Sequence, residues 1–278
     1  MGWFDNKVAL VTGASKPTGI GCAVADRLAS EGAHVVVADL CEQMDEFPGY
    51  CRTGSNAELE ELAEKVREHG VKSMPVPLDV TDPEAVAAMA RRVEDEFGSL
   101  DVLINNAGGS PGPNAIENQD EKAWLKVMDI NLNGTFRVSQ AMIPLLKKGK
   151  PGGAIVNTSS RAGKVAGAFM GSYCTSKAGV IMLTKVLALE LAGAGIRVNC
   201  ICPGQVRTDL GEWGWKMRAF ATGKSMEEFE EEFFKTIPLG RPASPADCAN
   251  VIAWLASDQS SYLTGQAINV TGGQLMEL

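Results

Sequence analysis

Histidine is nearly absent from this chain, with two in 278 residues. The seven cysteines form no C-x-x-C pair and no Cys/His ligand set, so no metal site is expected. Their odd number and lack of a framework fit a reducing, cytoplasmic setting, which counts against a Cys41–Cys51 bridge. Cys200 and Cys202 alternate with Asn199 and Ile201 as strand residues do, which reads as ordinary packing. No stretch approaches the ~20 apolar residues of a membrane span, and residues 1–7 hold no apolar signal core. Positive charge is also short. The formal net charge of -8 and the pI ≈ 5.0 give no support to nucleic acid or an anionic membrane as partner. No repeat or low-complexity linker divides the chain, and its length suits one α/β core, so residues 1–278 read as a single domain.

What is plentiful is glycine, thirty residues of it, and an alternation of strand and helix patterns. Residues 7–12 are an apolar run ending at Gly13. Residues 13–21 are glycine-rich, and 22–29 have helical spacing. Strand, glycine turn and helix start together make a place where backbone N–H groups can hold a pyrophosphate. Residues 34–39 form a second strand with Asp39 at its end. A carboxylate there can bind both ribose hydroxyls and repel a 2′-phosphate, favouring NAD over NADP. Further strands are expected at 72–78, 100–104, 154–157, 196–202 and 267–270. Helices are expected at 84–97, 124–146 and 173–191. This rhythm is that of a doubly wound Rossmann fold, about seven parallel strands with helices on both faces. Ligands then belong at the carboxyl ends of the strands, where the Asn, Ser and Pro-Gly punctuation falls.

Tyr173 and Lys177 are four residues apart and share one face of the expected helix. A free tyrosine, with a pKa of about 10, is a poor base near neutral pH. An ammonium nearby is expected to lower that pKa, so the pair could take a proton from an alcohol or return one to a ketone. An isolated Y-x-x-x-K is more often a buried ring beside a solvated lysine, but this one has company.

The chain resembles the short-chain dehydrogenase/reductase family over its whole length. The matching residues are Thr12-Gly13 with Gly19-Ile20-Gly21, Asp39, Asp79-Val80, Asn105-Asn106-Ala107-Gly108, Asn131, Ser160, Tyr173, Lys177 and Pro203-Gly204. The family's catalytic serine stands thirteen residues before its tyrosine, which selects Ser160 over Ser159. The resemblance implies Tyr173 as acid/base, with Lys177 tuning it and binding the nicotinamide ribose. It implies that Ser160 bonds the substrate oxygen and that Asn131 holds a water in a proton relay. It also implies an NAD site made by Gly13, Ser15, Gly19, Ile20, Gly21, Asp39, Asp79, Val80, Asn106, Ala107 and Gly108. At the nicotinamide end that site takes in Tyr173, Lys177, Pro203, Gly204, Val206 and Thr208.

Two stretches depart from the family pattern. Five residues separate Gly13 from Gly19, where the common form has three. That spacing is similar to the family's enoyl-reductase branch, but those enzymes place six residues between tyrosine and lysine, and here there are three, so enoyl reduction is not expected. Lys16 in this loop either neutralises phosphate or is solvated. The second departure is an insertion near 41–57. It is either a fold over the adenine end of the cofactor or a surface elaboration or subunit contact. A similarly placed insertion occurs in family members that keep NAD tightly bound, those associated with the peptide cofactor mycofactocin.

Residues 210–236 occupy the family's substrate-lid position, with Trp213, Trp215, Lys216 and Arg218 in the first half and Phe229 and Phe233 on one face of an acidic helix. Arg161 and Arg207 add positive charge near the site, which either favours an anionic or polyhydroxyl substrate or pairs with lid glutamates. The closing segment, 262–273, is similar to that of polyol and sugar-alcohol dehydrogenases. The expected function is NAD-dependent interconversion of a secondary alcohol, of polyol, sugar-alcohol or hydroxyketone type, with its ketone. The alternatives are a tight-NAD alcohol dehydrogenase with an external electron acceptor, and a catalytically silent nucleotide-binding scaffold. By resemblance a homotetramer is expected, pairing the helices near 124–146 and 173–191.

Overall fold

Strands β1 (Val8–Thr12), β2 (His34–Asp39), β4 (Val102–Asn105) and β5 (Ala154–Thr158) are rich in valine, isoleucine and alanine and are buried along most of their length. Such runs suit a strand covered on both faces. With β3 (Ser73–Pro77), β6 (Arg197–Pro203) and β7 (Ala267–Val270) they form one parallel sheet in the order β3-β2-β1-β4-β5-β6-β7. The computed structural model describes residues 2–47, 49–149 and 152–277, so Pro48 of the insertion lies outside the described residues.

Successive strand residues point to opposite faces, and the core divides accordingly. Ala9, Val11, Val35 and Val37 pack with α1 (Ile20–Ser30), α2 (Asn56–Arg67) and α9 (Pro245–Ala256). Val8, Leu10, Val36 and Ala38 pack with α3 (Pro83–Phe97), α5 (Gly134–Lys148) and α6 (Gly171–Leu191). This is the doubly wound Rossmann arrangement. Because β1 neighbours both β2 and β4, the strand order reverses there and opens a crevice at the carboxyl ends.

The helix ends follow local chemistry. Ser55 and Glu58 form a capping box on α2, and Asp82 caps α3 ahead of Pro83. Ser244 and Asp247 do the same for α9, a helix that the sequence pattern had not indicated. One expectation is refined. Residues 124–146 are helical throughout, but not regularly so, because α4 (Glu121–Met128) and α5 meet through a π-helical turn, Asp129–Asn133. A Cβ on Gly134 would lie 2.6 Å from Val80 Cγ2, so the chain needs glycine where α5 passes β3's end. All seven cysteines are free. Among the described residues no helix is long and apolar enough to cross a membrane, and no group of His, Cys, Asp and Glu could hold a metal ion.

Candidate active site

Gly13 turns the chain at the end of β1 with φ +66°, and a Cβ there would stand 2.7 Å from the Ala107 Cα. A Cβ on Gly21 would meet the Gly13 carbonyl oxygen at 2.2 Å. These two glycines let loop and helix pack closely. Helix α1 begins after Gly19, which has no side-chain cap, and its first turn carries no acid. Its leading N–H groups are thus left to an anion. Asp39 Oδ2 accepts from the Ser15 N–H at 2.8 Å and the Ser15 hydroxyl at 2.6 Å, and Oδ1 accepts from the Leu40 N–H at 2.8 Å. Asn106 Nδ2 donates to the Thr12 and Gly13 carbonyls, tying β4's end to the turn.

A cleft of ≈ 650 Å³ runs along this edge. Gly13, Gly19, Ile20, Asp39, Asp79 and Val80 line one end. Asn106, Ala107 and Gly108 line its middle, and Pro203, Gly204, Val206 and Thr208 the far end. The uncapped helix start and the acid at β2's end fit a dinucleotide, pyrophosphate on the first and ribose on the second. Ser15, Gly21 and Asn131 do not line the cleft; they sit behind its wall.

Tyr173 and Lys177, one turn apart on α6, both line the cleft beside Ser160. Lys177 Nζ donates to the Thr158 carbonyl at 2.9 Å and lies 5.7 Å from the centre of the Tyr173 ring. Burial lowers the Lys177 pKa to about 8. Burial also raises that of Tyr173, partly opposed by hydrogen bonding with Ser160. This reverses the expectation that the lysine lowers the phenol's pKa, since its charge is turned to a carbonyl and desolvation dominates. Ser159 instead donates to the Lys177 carbonyl at 2.8 Å and holds the helix in place. Asn131 is wholly buried. Its Oδ1 accepts from the Gly109 N–H at 2.9 Å, and its Nδ2 donates to the Gly109 carbonyl at 2.9 Å and to Ser176 Oγ at 3.0 Å. The π turn aims it so that one amide joins the loop after β4 to α6.

The insertion leaves β2 through Cys41, a non-glycine residue at φ +57°. Met44 and Phe47 pack with Ala123 of α4, and residues 50–54 return across the cleft. A Cβ on Gly54 would fall 1.6 Å from Ser15 Oγ, so the insertion lies directly on the phosphate turn. Tyr50 accepts from the Ser110 N–H at 3.0 Å and meets Trp213 edge-on, ring centres 5.2 Å apart. Trp213 Nε1 donates to the Gly49 carbonyl at 2.8 Å. Trp213 belongs to α7 (Asp209–Thr222), which with α8 (Met226–Phe234) makes up the stretch expected as a substrate lid. Lys16 is neither solvated nor free for phosphate. It pairs with Asp209 on the lid and donates to the Arg52 carbonyl in the insertion.

A family model described as enoyl-(acyl carrier protein) reductase matches residues 13–274. A 3-oxoacyl-[acyl-carrier-protein] reductase of Staphylococcus aureus is 39% identical over 270 residues, covering 97% of this chain and 98% of that protein. The chain belongs to the short-chain dehydrogenase/reductase family. Two solved structures of this family are similar throughout. The carveol dehydrogenase of Mycobacterium avium in complex with NAD has a TM-score of 0.93 at 31% identity and full coverage of both chains. An NAD+-bound xylitol dehydrogenase has a TM-score of 0.87 at 32% identity, covering 97% of this chain and 99% of that one.

As a short-chain dehydrogenase/reductase the protein is an oxidoreductase with a nicotinamide dinucleotide cofactor. Sequence reasoning missed the reach of Tyr50 and the latch made by Lys16, Asp209 and Trp213. No local signal marks them, because their partners are far off in the chain. Of the two alternatives for Arg207, the structure shows the pairing with glutamates: it meets Glu212 and Glu230 and lies over the Trp215 and Phe234 rings. Lys216 is exposed.

Proposed function

We propose that this protein interconverts a secondary alcohol and its ketone with NAD. The observation that carries the reading is the meeting of Ser160, Tyr173 and Lys177 in the cleft that starts at the uncapped end of α1. The nicotinamide supplies the acceptor or donor of hydride. Tyr173 takes the hydroxyl proton in oxidation and returns it in reduction, and Ser160 bonds the same oxygen, where charge changes in the transition state. Lys177, bonded to the Thr158 carbonyl, keeps its ammonium 5.7 Å from the centre of the phenol ring. Asn131 keeps α6 and the loop after β4 in register, behind the reacting groups. The three-residue spacing of Tyr173 and Lys177 favours carbonyl chemistry over the enoyl reduction that the family model's description names.

NAD is favoured over NADP because Asp39 puts negative charge at β2's end. Lys16 and Arg52, which line the same cleft, have acidic partners in Asp209 and Glu58. The test is a turnover screen of polyols, hydroxyketones and 3-oxoacyl thioesters with NAD(H) and NADP(H) side by side. We expect polyol or hydroxyketone turnover with NAD(H); turnover confined to thioesters and NADPH would replace this reading.

A second reading, non-exchanging NAD with an external electron acceptor, is favoured by the insertion's path over the cleft and its ties to the lid. Purified protein should then carry nucleotide through dialysis, and fully nucleotide-free protein would end that idea. Phe136, Met182, Val186 and Leu189 stand exposed on α5 and α6, a surface suited to the twofold pairing of a homotetramer.

A further inference from the structure

Arginines in this protein are generally supplied with acceptors. Arg197, buried under α9, donates to the carbonyls of Leu255, Ala256, Ser257 and Ser260. Arg207 has its two glutamates. Arg161 and Arg218 differ: both line the cleft, and among the described residues neither joins an ion pair. Arg161 follows Ser160 directly. Arg218 Nη2 reaches the Met170 sulfur at 3.3 Å, just before α6 begins, and the guanidinium lies 5.6 Å from the centre of the Phe233 ring. A thioether is a weak acceptor, and a ring face attracts the cation without supplying the paired hydrogen bonds of a carboxylate. Both arginines line the cleft that also holds Ser160 and Tyr173, and Arg218 lies within reach of the charge of Arg161.

Arg218 is partly buried, and its pKa is lowered by that burial first and by the charge of Arg161 second. Two like charges that repel each other, one of them desolvated, cost free energy unless an anion enters between them. The protein's net charge of -8 makes the lack of a carboxylate here more telling. The walls nearby are apolar, with Val165, Phe169 and Met217 exposed at the rim and Phe169 held at φ +64°.

We propose that Arg161 and Arg218 form the anion-binding end of the substrate cleft, so that the alcohol or ketone carries a carboxylate, sulfonate or phosphate beyond a short apolar spacer. This deepens the oxidoreductase reading and rests on it for the identity of the site. Guanidinium forks hold such groups through paired, charge-assisted hydrogen bonds. Arg161 and Arg218 set specificity, since neither is placed to move the proton.

The test is calorimetric titration of the NAD-saturated full chain with hexanoate, hexanesulfonate and hexyl phosphate, against neutral hexanamide. At least one anion should bind roughly tenfold or more tightly than the amide, about 1.4 kcal/mol. Arg218→Gln should remove that preference, Arg218→Lys should keep part of it, and Lys216→Gln, at an exposed site on the same helix, should leave it unchanged. In turnover, Arg218→Gln should raise KM for oxo acids while leaving their methyl esters unaffected. Which anion binds best separates the three head groups. Equal binding of anions and amide, binding of none, or a preference surviving both Arg161→Gln and Arg218→Gln overturns the proposal. The oxidoreductase reading fails differently, through absence of NAD-linked turnover of any alcohol or ketone, charged or neutral.

Discussion

The floor and the roof of the cleft are built by different means. The floor hangs on strand ends. Asn106, Asn131, Ser159 and Lys177 spend their polar groups on backbone carbonyls and N–H groups, and most of them are buried. The roof consists of the insertion and α7, joined by one indole hydrogen bond and an edge-on ring contact, with Lys16 of the glycine turn bridging the two through its ion pair to Asp209 and its bond to the Arg52 carbonyl. Each roof contact is partly open to water, where ion pairs and hydrogen bonds contribute about 1 kcal/mol or less. A floor of this kind holds reacting groups in place; a roof of this kind can open. On the proposed function, chemistry belongs to the floor, and nucleotide residence and substrate choice to the roof.

The sharpest break between the two is Tyr173→Phe. It removes one floor oxygen and leaves ring, helix and roof intact. We expect turnover to fall by about a thousandfold, within the range for lost acid/base catalysis. Calorimetric NAD affinity should stay within about twofold. A retained rate would remove Tyr173 from its role.

A second floor prediction concerns pH. Burial brings the Lys177 pKa to about 8, so its ammonium is complete well below that pH and is lost as pH rises through it. Ketone reduction needs Tyr173 protonated, which its raised pKa secures over the same range. The reductive kcat/KM should therefore fall above about pH 8, approaching tenfold per pH unit. A profile flat well into the alkaline range would show that the lysine's charge does not matter to the step.

Turning to the roof, Gly54→Ala places a methyl where Ser15 Oγ already stands. Backbone or serine must move, and the insertion lifts from the phosphate turn. The nucleotide should bind about tenfold more weakly, a loss of about 1.4 kcal/mol, while the rate at saturating nucleotide stays near wild type. Unchanged affinity would mean that the insertion does not close on the cofactor.

The same division decides what could be read from the sequence. Floor residues sit where strand patterns end, so Asp39 and Asn106 could be placed at the ends of runs of valine and isoleucine, while the choice of Ser160 over Ser159 needed the family's spacing to the tyrosine. The reading failed where geometry is not periodic. A π turn shifts the facing of the helix by about one residue without any marker residue of its own, so the turn that aims Asn131 was not read. Helix α9 did leave a signal, Ser244-Pro245 with Asp247 three residues after the cap, a start motif that could have been recognised. The sequence left Lys16 and Arg207 each between two readings because their acidic partners lie in other elements, on α7 and α8. Tyr50 and Trp213 meet across the cleft from opposite halves of the chain, and nothing in either neighbourhood names the other.

The smallest effect is expected at that meeting, and it tests the roof most finely. Trp213→Phe keeps an aromatic face toward Tyr50 but deletes the indole N–H that bonds the Gly49 carbonyl. The bond is exposed, so the freed carbonyl finds water and the net loss is about 0.5 kcal/mol. That corresponds to nucleotide leaving roughly two- to threefold faster, with turnover of the bound complex unchanged. Stopped-flow displacement of NADH by excess NAD measures the release directly. If release and the chemical step both slowed or quickened together, the roof would be coupled to Tyr173 rather than merely covering it. If release did not change, the latch would rest on Lys16 and Asp209 alone, and the same measurement on Asp209→Asn would then carry the larger shift.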